Sequence, residues 1–493
     1  MQRRTLLRRS GTLAFALPVS GSTAAGAASV TGSSVATAVS DEPYEPLGRI
    51  AVDGTAEAVV GDDGETAYLA TTTGFAIVDV SDPFDPSLLF EETSLEVDGD
   101  PLLEILDIKV DGDRLVVPGP ANASSSYPFH GFICYDVSDP SDPAVIDEPY
   151  ETGFHIHNCY LEGEHLYVVA NSEAENPLVV YDVADGIEEI GRWSLMEREP
   201  GWEEVGWLTR YLHDVYVHDD IAYLAHWNAG TYLLDVSDPA SPEYLSHVSE
   251  TSLEETRELE AVDDTSLGLP GNDHYSAVDE TGDLLAVGRE AWETGGEEPD
   301  GPGGIDLYDV SDPTDPVPRG SIDAPLAADE SYQAGLWTTA HNFELRDEML
   351  FSSWYRGGVK IHDVSDPESP EQLAWWRDPD EAGFWTARVA EPGETFVASS
   401  TPVIPNAPTE GALYTFRIRA GDQSDPPSLT DPTAVRSDDR DEDGPPNGTK
   451  GTGTGMTDRS GDEDDDPTPG FTTTAVGIGA GGVATLEWVR RRQ

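Results

Sequence analysis

Between residues 45 and 420 the chain alternates short apolar runs with turns of Asp, Gly, Ser and Pro, and one phrase keeps returning. It reads GFAIVDVSDPFDP over 74–86, GFICYDVSDPSDP over 131–143, PLVVYDVADG over 177–186 and GTYLLDVSDPASP over 230–242. It continues as GIDLYDVSDPTDP over 304–316 and GVKIHDVSDPESP over 358–370, with a worn copy, GALYTFRI, at 411–418. The aspartate before the valine falls at Asp79, Asp136, Asp182, Asp235, Asp309 and Asp363, giving spacings of 57, 46, 53, 74 and 54 residues. A period near 50 with strand-length apolar runs predicts radial β repeats.

Each unit has room for four strands. Around residue 230 they are predicted at 213–218, 221–227, 231–236 and 243–248, separated by short turns. The Ser-Asp-Pro step ends the third strand, because proline cannot donate to a ladder and Ser or Asp side chains close the turn onto nearby backbone. The seventh copy has candidates for three strands, at 385–388, 395–397 and 413–417, and nothing after them resembles a fourth. The stretch Glu45–Ile50 does. The expected fold is therefore all-β, a seven-bladed propeller of four-stranded blades whose N-terminal strand closes the last blade and hides two sheet edges.

The repeated phrase resembles the LVIVD repeat. The stretches Thr339–Phe343 and Trp354–Gly358 are similar to that family's blades and to the related "choice-of-anchor B" surface proteins. The resemblance covers roughly 45–420 and implies a propeller of exported or surface-anchored proteins, without bringing a biochemical activity.

Charge narrows the class further. Against 95 Asp and Glu stand 27 Lys and Arg, a net charge of -68, with only three lysines, Lys109, Lys360 and Lys450. A nucleic-acid binder would need a basic stripe. Self-repulsion of this size destabilises a compact state unless ions screen it, so a halophilic, high-salt setting is expected. With 38% hydrophobic residues and 11 Trp the body of the chain should still fold. The two cysteines, Cys134 and Cys159, are read as buried thiols, with pairing left open.

Both ends read as addresses. Arg3-Arg4, a mildly apolar run from Leu13 to Val19 and the small residues at 25–27 resemble a twin-arginine signal peptide over 1–28, which implies the export machinery as a partner. Residues 421–468 are acidic and rich in Ser, Thr, Gly and Pro, the composition of a disordered stalk. Residues 469–493 place Pro-Gly-Phe before an apolar segment and three arginines, which resembles the PGF-CTERM signal of archaeal surface proteins. That resemblance implies a sortase-like processing enzyme, with the membrane reached through a C-terminal anchor only. The chain is expected as a monomer on the outer face of the cell membrane. Asn122 and Asn447 begin glycosylation sequons.

Aligning blades by their second strands exposes one register. It holds His157, His213, His274 and His341 in blades three to six, Asp107 in the second, Glu57 in the first and Thr386 in the seventh. The start of an innermost strand projects toward the channel mouth, so four imidazoles and two carboxylates could converge on one axis. Neutral imidazole suits Fe, Cu, Zn or Ni, and a carboxylate can orient an imidazole through its free N–H. Carotenoid oxygenases hold iron with four histidines on a seven-bladed propeller, a likeness of architecture without a sequence match. The competing reading is structural: the His-Asn and His-Asp pairs simply hydrogen-bond backbone between blades. His155 is a further candidate ligand. His226, Trp227, Arg289, Glu290, Trp354 and Arg356, at second-strand ends, read as a recognition rim, with the insertions 250–272 and 292–303 as a lid. The Asp-Val-Ser-Asp-Pro aspartates lack calcium-loop spacing and are assigned to turns. Two functions follow: a surface-anchored ligand- or protein-binding module, or a metal-dependent oxidoreductase or oxygenase.

Overall fold

The structure, a computed structural model, describes residues 42–431 apart from 123–126, 172–174, 261–266 and 297–298. The signal segment 1–28, the tail 469–493, most of the expected stalk and Asn447 lie outside the described residues. Described strands assemble into seven blade sheets around a channel, antiparallel apart from one added parallel strand in blade six, with a separate two-stranded pair at Glu96–Val97 and Asp100–Pro101. In blade one the order from the axis outward is Ala58–Val60, Thr66–Ala70, Phe75–Asp79 and Ser87–Glu92. Blade four runs Asp214–His218, Ile221–Ala225, Thr231–Asp235 and Glu243–Val248, matching the strands predicted for that unit. Blade two differs, because its outer strand is split into Ala144–Val145 and Tyr150–Glu151, both paired with Gly131–Asp136.

The ring closes as expected. Gly48–Ala51 pairs antiparallel with Ala412–Arg417, Gly48 opposite Thr415 and Ala51 opposite Ala412, and becomes the outer strand of blade seven. The third strands are mostly apolar because neighbouring blades cover them, as in Thr231–Leu234, where every residue is buried, although Asp306 and Lys360 interrupt the run in blades five and six. Glycine leads the phrase because the chain there presses on the outer strand. At Gly230 and Gly358, both at φ +95°, a Cβ would sit 2.2 Å from the carbonyl oxygen of Val248 and 2.1 Å from that of Trp376.

The aspartates of the phrase build turns. Asp79, Asp235, Asp309 and Asp363 each accept from the backbone N–H and hydroxyl of the serine two residues on, as in Ser237 N to Asp235 Oδ1 at 2.9 Å. The proline that follows reaches the preceding blade: the Pro313 carbonyl accepts from Ser246 Oγ at 2.6 Å, and the Pro239 and Pro367 carbonyls lie against Gly191 and Gly320. One motif thus ends a strand and clasps two blades together.

Residues 421–431, which composition assigns to the expected stalk, are docked on the propeller. Gly421–Asp422 adds to the outer strand of blade six, Glu371–Trp376, and Leu429 is buried, its carbonyl accepting from Ala328 N at 2.9 Å. A few apolar and amide groups suffice to dock 421–431 where the composition reads as solvated. Among the described residues no helix is long and apolar enough to cross a membrane. Cys134 and Cys159 are free and buried.

Candidate functional site in the central channel

The innermost strands of blades three, five and seven are irregular at the register position. The pairing of blade three's first two strands slips between Ile156 and Cys159, that of blade five between Asp273 and Tyr275, and that of blade seven between Phe384 and Thr386. A bulge re-aims the unpaired side chain, and here the bulged residues include His157, His274 and Trp385. The four histidines meet as a continuous arc, with ring centroids 4.4 Å apart for His157 and His213, 3.9 Å for His213 and His274, and 4.5 Å for His274 and His341. Trp385 extends it, 4.3 Å from His341. Sequence alignment placed Thr386 in this position; the bulge, invisible in sequence, substitutes its neighbour.

Three of these imidazoles bind backbone of another segment through Nδ1: His157 to Ala121 O at 3.2 Å, His213 to His274 O at 3.0 Å and His341 to Trp385 O at 2.6 Å. The inter-blade role weighed for them is therefore present. Asn158 adds a bond to His213 O at 2.9 Å. The bond at Nδ1 leaves Nε2 as the remaining donor or acceptor, and Nε2 of His213 and of His341, with both ring nitrogens of His274, is buried without a protein hydrogen-bond partner. A buried polar atom left unpaired costs about 1–3 kcal/mol, which makes such a group a marker for a ligand or an ion. Burial, and then repulsion between neighbouring imidazoles, holds His213 and His341 well below the usual histidine range, and lowers His157 to about 4. All three are neutral at pH 7.

The carboxylates of the register do not serve the imidazoles. Glu57 accepts from Asn342 Nδ2 and Thr386 Oγ1, each at 2.6 Å, and from Arg388 at 3.0 Å. Asp107 is held by Lys109 and by the Cys159 backbone N–H. With Asp214 these groups form a buried charged layer. Desolvation raises the carboxyls of Asp107 and Asp214, Lys109 opposing it, while the Lys109 ammonium is held above its usual value by Asp107 and Glu57 despite burial. The carboxylate that does face the arc is Glu290, whose Oε2 lies 3.3 Å from His274 Nδ1 and whose Oε1 accepts from the Tyr355 hydroxyl.

The expected rim is buried, and it divides by position. Trp227 and Tyr355, both at positive φ, turn toward the histidines: Trp227 stacks on His213 with centroids 6.2 Å apart, and Tyr355 lies 4.6 Å from His341. His226, Arg289, Trp354 and Arg356 are occupied elsewhere. His226 binds Arg210 O, Arg289 is ringed by Asp273, Asp306 and Glu250, Trp354 donates to Ser352, and Arg356 donates to Pro379 O. An exposed recognition rim is thus corrected to packed interior. Trp292, Tyr332 and Trp337, whose rings lie 4.7–5.0 Å apart, cover Tyr355, while Trp227 packs against Tyr211 at 5.6 Å. In the 250–272 insertion, helix Leu253–Glu260 docks on Gly201 through Arg257. His155 pairs with the Tyr211 hydroxyl at 3.3 Å instead of joining the arc. Asn122 is 4% exposed, and the rest of its sequon lies outside the described residues.

The open end of the channel is the other one. A cavity of about 570 Å³ is walled by Tyr160, Tyr216, Tyr275 and Phe343, floored by Lys109, Asp214 and Arg388, and rimmed by acidic turns that include Asp63, Asp279 and Glu391. None of the four histidines lines it. The Arg388 guanidinium lies over the Tyr275 ring at 5.3 Å. No sequence signal marked this funnel beforehand, although the tyrosines recur three residues beyond the histidine positions at Tyr160 and Tyr216.

The LVIVD repeat family matches residues 61–92 and 209–249, which fall in blades one and four. A search of curated proteins found no match. Among solved structures, the β-propeller domain of Myceliophteria thermophila Cps50 (Swd1) is similar with a TM-score of 0.49 and 10% identity, over 76% of this chain and 100% of that one.

Proposed function

We propose that this LVIVD-repeat propeller is a binding module, exported and tethered at the cell surface in high salt, whose recognition site is the open funnel. The funnel carries the reading: tyrosine walls above a floor and rim in which carboxylates outnumber cations suit a ligand presenting an ammonium or guanidinium group, bound by ring faces and acidic side chains together. A basic loop of a neighbouring protein or a small organic cation offers that chemistry. The twin-arginine-like start and the PGF-CTERM-like end support export and tethering, and the net charge of -68 supports salt. The oxygenase alternative is less favoured, because none of the four clustered histidines lines the cavity available to a substrate.

Calorimetric titration in high salt with a trimethylammonium compound, an arginine-rich peptide, acetate and phosphate tests this. The cationic probes are expected to saturate, with affinity falling about tenfold in Tyr216→Ala. Binding of the anions alone, or cation binding indifferent to Tyr216→Ala, overturns it.

A further inference from the structure

The closed end of the channel carries a second site, distinct from the funnel. We propose that His213, His274 and Glu290 hold a divalent transition-metal ion of borderline softness, zinc or ferrous iron, between blades four and five. Three donor atoms from these residues lie within 4.8 Å of one another, and all three side chains are buried. His274 Nδ1 and Glu290 Oε2 are 3.3 Å apart without forming a hydrogen bond. Two donors at metal distances of about 2.0–2.1 Å subtend close to the tetrahedral angle at that separation.

The surrounding groups are arranged as a ligand set requires. His213 donates Nδ1–H to the His274 carbonyl, which fixes the tautomer and leaves the Nε2 lone pair free, and that atom has no other partner. Tyr355 donates to Glu290 Oε1 and leaves Oε2 to face His274. Two imidazoles and one carboxylate exclude the all-oxygen preference of calcium and magnesium and lack the thiolate that draws cuprous copper. His341, its Nε2 unpartnered and its ring 4.5 Å from that of His274, flanks the site as a further donor. The nearest competing arrangement is metal-free, with a protonated His274 paired to Glu290.

The full chain, folded in high salt, is loaded separately with Zn²⁺, Fe²⁺ under argon, or Co²⁺, then dialysed and analysed for metal. Near-stoichiometric retention is expected, with a tetrahedral-type visible spectrum for Co²⁺. His274→Ala is expected to abolish retention. Glu290→Gln, nearly isosteric, is expected to weaken it, and Tyr355→Phe to lower affinity by about 10–100-fold. His226→Gln, which alters a buried imidazole outside the arc, should retain the metal fully. Because Glu290→Gln and Tyr355→Phe keep the shape of the side chain, circular dichroism separates lost binding from lost fold. If the unaltered protein retains no more of any of the three ions than His274→Ala, or if His274 titrates as an imidazolium paired to Glu290 in nuclear magnetic resonance with zinc present, the site is not a metal site.

Discussion

His226 shows what enclosure does to one imidazole. It is fully buried with Nδ1 on Arg210 O at 3.2 Å, and burial lowers its pKa to about 4. The unfolded side chain titrates near 6.5, so the unfolded state takes up the proton first, and stability is complete above about pH 6.5 and drains as pH falls toward 4. The contribution at stake is about 3 kcal/mol. His157 and His155, lowered to about 4 and about 3 by burial first of all, act in the same direction, whereas Asp273, raised to about 6 chiefly by burial, opposes them below that pH. In equilibrium denaturation, His226→Gln should therefore lose less stability than the parent between pH 6.5 and 4.5; equal slopes would show that this imidazole does not set the window. At this scale the sequence revealed the histidine register, because duplication copied it at measurable spacings. It did not reveal Glu290 as the facing carboxylate or Trp385 as the end of the arc, since a bulge changes which neighbour points inward without changing composition.

Strands and turns were the most legible level. Apolar runs bounded by Ser-Asp-Pro place the third strands correctly, because the runs are mostly apolar even where Asp306 and Lys360 intervene. The role of the proline carbonyl in holding the preceding blade emerges only when blades are set side by side. At Gly320 an added Cβ would lie 2.2 Å from Pro367 O, a backbone atom that cannot swing away, whereas at Gly61 the nearest atom is at 3.4 Å. Gly320→Ala is expected to destabilise by about 1–3 kcal/mol and Gly61→Ala to change little, read from denaturation midpoints. Similar effects at both would remove the clasp as a source of stability. The docking of 421–431 escapes composition for a related reason: composition reports solvation on average, and Leu429 with Gln423 and Arg377 is enough to seat one short segment, Gln423 Nε2 donating to Arg377 O at 2.9 Å.

At the scale of the whole chain the charge of -68 is distributed with a consequence for its few lysines. Lys109 lies in the buried ion layer and Lys360 is packed against Trp354 and Trp375, so neither described lysine neutralises the surface. Apart from those paired with arginine, such as Glu410 with Arg49 and Glu204 with Arg257, surface carboxylates are left to dissolved cations. Raising monovalent salt from about 0.1 to about 1 M shortens the screening length from about 10 to about 3 Å, and the thermal midpoint should rise steeply over that range. A midpoint indifferent to salt would contradict the high-salt reading.

The sequence by itself determined the number of blades, the strand order within each and the closure by Gly48–Ala51, because those follow from a repeated pattern of burial and from turns that glycine and proline dictate locally. Only the tertiary structure decided which end of the channel is open. Covering of the histidine end involves Trp292 from one loop and Tyr332 and Trp337 from another, and the tyrosine end stays open among the acidic turns that rim its cavity. Both are long-range packing outcomes that no local pattern encodes.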